Sequence, residues 1–348
     1  MTAGIPIMAA TPPIPLLNIL AGLLPVLAFL LALDFLDSYK LVRMKALLLA
    51  VGGGALATAV SYFANSGLMS LTGGNFSLVS RYTGPLVEEA LKAVVVVAFF
   101  RARRIGFLVD AAIIGFAVGA GFSLAENIYY LGAQPGSGLA VWIIRGFGTA
   151  MMHGGTTAIF AAATKALSDR REKRMALSGL PGLAIAFLIH SAFNHFLLPP
   201  LAATAAILVV LPAAAVSVFL ASEKSTRTWL DVGFDSDVEL LGLITAGRAS
   251  ASRVGSYLLA LKGKFPGEVV ADMLCLIRLH LELSIEAKGI LLMREAGFPA
   301  PADPTVADKF KELAYLEISV GKTGMLAVGP LLHRSRRDLW ELHMLGMK

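Results

Sequence analysis

Long apolar runs broken by short polar joints fill the first two thirds of the chain. Crossing a bilayer takes roughly 17–25 mostly apolar residues. Seven runs reach that length, at about 14–34, 44–64, 77–100, 107–131, 140–165, 177–198 and 202–221. The first has no basic stretch before it and ends at Asp34, so it reads as a retained span rather than a signal peptide. Small residues recur inside the runs: Gly115 and Gly119 at a GxxxG step, Gly52 to Gly54 in a row, Gly154 beside Gly155. Such faces let helices approach closely. From about residue 225 the pattern changes to that of amphipathic helices. One helix is predicted over roughly 267–296, closing at Gly297. Another begins at Asp303-Pro304, with Val306, Phe310, Leu313 and Leu316 along one face. The pattern predicts an all-α protein. A polytopic bundle of about seven transmembrane helices occupies residues 1–221, and a helical accessory domain occupies residues 222–348.

Composition supports that division. Of 348 residues, 56% are hydrophobic and 16% charged, against about 25% charged in a soluble domain. Cys275 is the single cysteine, which excludes an internal disulfide framework. The net charge of +6 lies wholly in residues 1–221, with 14 Lys/Arg against 8 Asp/Glu; residues 222–348 hold 16 of each. This is a topology signal and not a nucleic-acid footprint. The joints alternate: Lys40, Arg43 and Lys45 after the first span; Arg81 alone after the second; Arg101, Arg103 and Arg104 after the third. An uncharged joint at 132–138 follows, then Lys165, Arg170, Arg171, Lys173 and Arg174, then the short Pro199-Pro200 turn. Positive joints face the cytoplasm. The N-terminus is therefore expected outside and residues 222–348 inside, in a cell membrane.

Against this apolar background the ionisable residues within spans stand out, and such residues are functional candidates by default. The third span carries Glu88, Glu89 and Lys92; the fourth Asp110, Glu126 and Asn127; the fifth Arg145 and His153; the sixth His190, Asn194 and His195. At 1.5 Å per residue, Glu88, His153, His190 and Glu126 fall about 18–28 Å from the cytoplasmic ends of their spans. Four helices thus deliver acids and imidazoles to one layer, which predicts a single water-accessible cavity opening outward. Glu88 with Lys92 and His190 with Asn194 are four apart and share helix faces, as do Arg145, Thr149 and His153. His195 lies off the His190 face.

A carboxylate in such a cavity can act as general base on water and then as general acid to a leaving amine. Histidine and asparagine can serve a developing oxyanion. Alternatively, two histidines and carboxylates from different helices can hold a metal with an open position. The chain contains no HExxH and no GxSxG. Other readings use the same residues. Glu88–Lys92 can be a buried ion pair that only fixes packing, with Asn127, Asn194 and His153 as interhelical glue. The set can also form the proton or cation path of a transporter, although the two halves show no clear repeat. A third alternative is a scaffold that binds membrane proteins without chemistry.

Four motifs in order resemble one family. Glu88-Glu89-Ala90-Leu91-Lys92 has the form EExxK. Gly121-Phe122-Ser123-Leu124-Ala125-Glu126-Asn127 is similar to GFAxxEN, with Ser123 in place of alanine. Arg145 and His153 sit in a small-residue helix, and His190 to Asn194 has the form HxxxN. Together they resemble the PrsW intramembrane proteases, relatives of the CAAX-protease-like membrane peptidases, over roughly residues 15–221. The resemblance implies a peptidase that cuts a membrane-anchored protein near the outer side of the bilayer. In some members the substrate is an anti-sigma factor, so the cut belongs to signalling by regulated proteolysis. It implies Glu88 as water-activating base and Glu89 as its supporting acid, with Glu126, His153 and His190 completing the centre. Asn194 would hold the oxyanion or orient His190, and Lys92, Asn127 and Arg145 would support. A divalent metal such as zinc on His153, His190 and Glu126, or a bare glutamate, are both left open. The bilayer and a membrane-anchored protein are the implied partners, and a cytoplasmic protein is a candidate partner for residues 222–348.

Overall fold

The computed structural model describes residues 14–170, 175–299, 303–332 and 336–346. Every regular element among them is helical. In chain order they are α1 (Leu16–Leu36), α2 (Met44–Leu71), α3 (Phe76–Leu78), a π-helical stretch (Val79–Thr83), α4 (Gly84–Arg101), α5 (Leu108–Ala133) and α6 (Leu139–Ile143). A second π-helical stretch (Ile144–Thr149), α7 (Ala150–Arg170), α8 (Met175–Asn194) and α9 (Pro200–Thr245) follow. The last four are α10 (Arg253–Leu261), α11 (Gly267–Glu295), α12 (Val306–Val328) and α13 (Arg336–Gly346). Among the described residues, five helices are long and apolar enough to cross a membrane: α1, α2, α5, α9 and the Leu177–Asn194 part of α8. The runs predicted at 77–100 and 140–165 are helical too, but α4 carries Glu88, Glu89 and Lys92, and the other run is divided by the second π-helical stretch.

The chain forms two compact units. The first comprises residues up to Leu36, Val42–Ala98 and Ala111–Val218. Its centre is α5, whose apolar stretch is 83% buried, against 28% for α1 and α2. Glycine makes that position available. A Cβ on Gly54 would lie 1.9 Å from the Val118 carbonyl oxygen, and one on Gly121 would lie 2.0 Å from that of Val51. On the other side, a Cβ on Gly119 would lie 2.2 Å from the His153 carbonyl oxygen. So α5 is held backbone to backbone against α2 and against α7, the close packing that small faces permit. The two π-helical stretches lead into the helices that carry Glu88 and His153. Local π turns widen the helix and recur at functional sites. The first is fastened to α8, where Ser191 Oγ donates to the Arg81 carbonyl (2.6 Å) and Asn194 Nδ2 donates to the Ser80 carbonyl (2.9 Å).

The second unit comprises Asp37–Leu41, Phe99–Asp110 and residues from Phe219 onwards. The helix read from sequence at 267–296 is α11. Residues 303–305 form a turn before α12 rather than its first turn, and the Asp303 carboxylate accepts from the Thr305 backbone N–H (2.8 Å). Asp110 accepts from the backbone N–H groups of Gly106 (2.8 Å) and Phe107 (2.9 Å) at the start of α5. It closes a helix end. Phe107, fully buried, meets Trp229 and Trp340 edge-on, with ring centroids 5.3 and 5.2 Å away.

A buried polar cluster joins α9, α11 and α13. Lys288 Nζ lies 2.5 Å from Asp237 Oδ2, 2.8 Å from Ser284 Oγ and 3.7 Å from Glu341 Oε1. Ser284 Oγ is 2.9 Å from both Asp237 Oδ2 and Glu341 Oε2. One hydroxyl proton cannot serve two carboxylates, so Glu341 is the partner that holds its own proton. Burial pushes the Glu341 carboxyl up to about 8, against a downward pull from Lys288. The unfolded chain releases that proton near pH 4.5 and the folded one near 8. The folded state therefore binds more protons in between, and stability falls as pH rises through that window, by a few kcal/mol at most. Amide hydrogen exchange of α11 and α13 is expected to quicken from pH 5 to 8, after correction for intrinsic rates. Glu341→Gln, uncharged at every pH, is expected to remove that trend.

Candidate active site

Lys92 and Glu89 anchor the site. Lys92 is fully buried and Glu89 is 2% exposed, and their side chains meet at 2.6 Å. The lysine thus pairs with Glu89 three residues back, not with Glu88 four back as the shared face suggested. Glu89 Oε1 also receives His190 Nδ1 at 2.8 Å and the Thr156 hydroxyl at 3.3 Å. With these partners Glu89 is a structural anchor. It fixes the His190 ring with its proton on Nδ1, leaving the Nε2 lone pair facing Glu88. Such carboxylate–imidazole pairs orient ligating histidines.

Glu88 is turned the other way. Its Oε1 accepts from Asn65 Nδ2 (3.0 Å), and its Oε2 lies 3.8 Å from His190 Nε2. His153 stands edge-on to His190 with ring centroids 4.7 Å apart, and its Nδ1 is 3.0 Å from Lys92 Nζ. The 3.8 Å gap is too wide for a hydrogen bond. Glu88, His153 and His190 each offer a ligand atom within 4.8 Å of the others.

Glu126 forms the outer rim. Its Oε2 lies 3.2 Å from Arg145 Nη2 and 3.4 Å from His153 Nε2. Neither N–H is aimed squarely, so this buried oxygen has no hydrogen bond. Arg145 is held by Asn127 Oδ1 at Nε (2.9 Å) and stacks over Tyr130, 4.0 Å from the ring centroid. Asn127 in turn donates to the Gly22 carbonyl (2.8 Å). Glu88, Glu89, Lys92, Glu126, His153 and His190 therefore form one connected group, with Arg145 and Asn127 bracing its rim. Asn194 is occupied with Ser80, and Ser123 donates to the Ala120 carbonyl (3.0 Å) rather than to Glu126. Asn65 and Thr156 belong to the group as well. Sequence reasoning passed over both, because a neutral polar residue in a helix carries no charge anomaly.

The donor set fits a divalent metal. Two imidazoles and a carboxylate, with a position left open, make a catalytic zinc set. Glu89 engages Nδ1 of His190, so Nε2 is the nitrogen that ring has left to ligate. The Glu126 carboxylate stands beside this set, between Arg145 and His153.

Compared with models of known protein families, residues 43–221 match the PrsW family intramembrane metalloprotease. The chain belongs to this family. The match contains every residue of the group just described and ends at the last residue of the seventh predicted run. No curated protein and no solved structure matched the chain. As a PrsW-family member the protein is an intramembrane protease in a multi-pass membrane setting, which does not favour the transporter reading. A substrate anchored in the bilayer follows from that activity.

Proposed function

We propose that this PrsW-family protease cuts a membrane-anchored protein near the outer face of the bilayer. Glu88, His153 and His190 hold a divalent metal such as zinc, and Glu126 handles the proton. The observation that carries this is the meeting of those three side chains, from α4, α7 and α8, with the Glu126 carboxylate beside them. The ion, when bound, supplies Lewis acidity toward water and the scissile carbonyl. Glu126 Oε2 takes a proton from the attacking water and delivers it to the leaving amine nitrogen. Arg145 holds that carboxylate in place, and Glu89 keeps His190 in the ligating tautomer. Relative to the family resemblance, Glu88 and Glu126 exchange the roles of base and ligand. The exchange is supported by Glu88, and not Glu126, being the carboxylate whose ligand atom lies within 4.8 Å of those of His153 and His190.

The proposed topology has seven spans, the N-terminus outside and residues 222–348 in the cytoplasm. The alternation of basic joints supports it. A signalling protein such as an anti-sigma factor is the proposed substrate class. Purified wild type is expected to carry about one metal ion per chain, and His190→Ala to carry little, as read by elemental mass spectrometry. Membranes of cells making wild type are expected to contain new protein N-termini at an outer membrane boundary that cells making His190→Ala lack. Identical N-terminal profiles, with both chains inserted and folded, would overturn the reading.

A further inference from the structure

A cavity of about 770 Å³ lies within the second unit, between α9, α11, α13 and the turn at Leu331 and Leu332. Most of its wall is apolar, including Trp229, Val232, Leu281 and Leu342. At one end stand Lys224 and Arg337 with Asp338, a net positive group. Arg337 is tied to that end through Ser225, to whose hydroxyl oxygen its Nη2 donates at 3.0 Å. Deeper lies the Lys288–Asp237–Ser284–Glu341 cluster. Within it Glu341 is 1% exposed, and its Oε1 has no hydrogen-bond donor. Arg337 and Glu341 are four residues apart on α13, so they share a face with about 6 Å between them.

Lys224 is three residues beyond Ala221, the end of the seventh predicted run, on the same continuous helix. One helical turn, about 5 Å, separates it from the bilayer surface. We infer that this cavity takes the headgroup of an anionic glycerophospholipid of the phosphatidylglycerol type, with its acyl chains left in the adjoining leaflet. The phosphate sits between Lys224 and Arg337, and basic side chains just past a span are where such headgroups are held. The three-carbon diol spans the step from Arg337 to Glu341, and its hydroxyl donates to Glu341 Oε1. A headgroup ammonium in that place would be brought against Lys288. A lipid ending at the phosphate would leave the Glu341 oxygen unmet. The inference rests on α9 carrying a membrane span and is independent of the peptidase chemistry.

The shared chemistry is a phosphate ester bearing a glycerol diol, which a free glycerol phosphate also offers. The full chain in detergent would be titrated with phosphatidylglycerol, phosphatidylethanolamine, phosphatidylcholine and phosphatidic acid of identical chains, and with glycerol 3-phosphate. Native mass spectrometry would count the retained molecules. Phosphatidylglycerol is expected to be retained about tenfold better than the two zwitterionic lipids. Lys224→Ala with Arg337→Ala, both at the outer end, is expected to remove that preference. Glu341→Leu is expected to reduce phosphatidylglycerol to the level of phosphatidic acid. Circular dichroism would check that each variant folds, and the outer pair carries the test if Glu341→Leu does not. Equal retention of all four lipids, or a preference that survives the double substitution, overturns the inference. Retention of glycerol 3-phosphate as firm as that of the lipid overturns the lipid assignment.

Discussion

Glu126→Gln is expected to keep the bound metal and the fold and to lower cleavage by a factor of about 10²–10⁴, the usual contribution of a positioned proton carrier. The exchange preserves size and removes the charge, and Arg145 keeps its stacking on Tyr130. Glu88→Gln is expected to behave differently. An amide in place of an anionic ligand weakens metal retention, so metal content and cleavage fall together. The two variants share a fold and differ in one readout, metal per chain, which elemental mass spectrometry measures directly. Single-turnover cleavage of a substrate found by N-terminal profiling supplies the other readout. Should Glu88→Gln keep its metal and lose cleavage while Glu126→Gln still cuts, the proton work belongs to Glu88. The assignment implied by family resemblance would then stand.

Lys92→Met is expected to be the most destabilising single change in the membrane unit. The lysine is fully buried and bridges Glu89 at 2.6 Å and His153 at 3.0 Å. Removing one member of a buried pair typically costs about 3–5 kcal/mol, because the partner charge is left without compensation. Adding Glu89→Gln removes that stranded charge. The double variant is therefore expected to recover a substantial part of the stability while cleavage stays low, since His190 loses the carboxylate that orients it. Thermal unfolding in a fixed detergent, compared across the two single variants and the double, reads the coupling. Additive losses would mean that Lys92 and Glu89 do not work as a pair.

Much of this was legible from residue pattern alone. The apolar runs marked the helices of the first unit, and their ionisable residues at one depth marked the group at the site, because charge within an apolar run needs partners or water to receive it. The pairing inside the group was not legible. Glu88 and Glu89 are both within reach of Lys92, at four and three residues, and only the rotation of α4 decides between them. A π-helical stretch precedes that helix and another precedes α7, so angles counted at 3.6 residues per turn do not carry across either. Spacing pairs Asn194 with His190, whereas the Ser80 carbonyl of the first π-helical stretch claims its amide. In the second unit, the helical pattern over 267–296 and its closing Gly297 predict α11. The cavity beside it depends on tertiary packing of segments far apart in sequence.

The seam between α5 and its neighbours has a consequence for how the enzyme meets different membranes. Its contacts are glycine against carbonyl oxygen, on Val118, Val51 and His153. A side chain can rotate aside under load, but a main-chain carbonyl cannot, so the seam admits one register. When a bilayer thins or thickens, helices can adjust by tilting, and a seam of main-chain contacts opposes any sliding of α5 against its neighbours. Glu126 and His153 ride on the two sides of a seam that does not slide. Their alignment is therefore expected to hold as bilayer thickness changes, so cleavage in vesicles of short-chain and long-chain lipid should differ little.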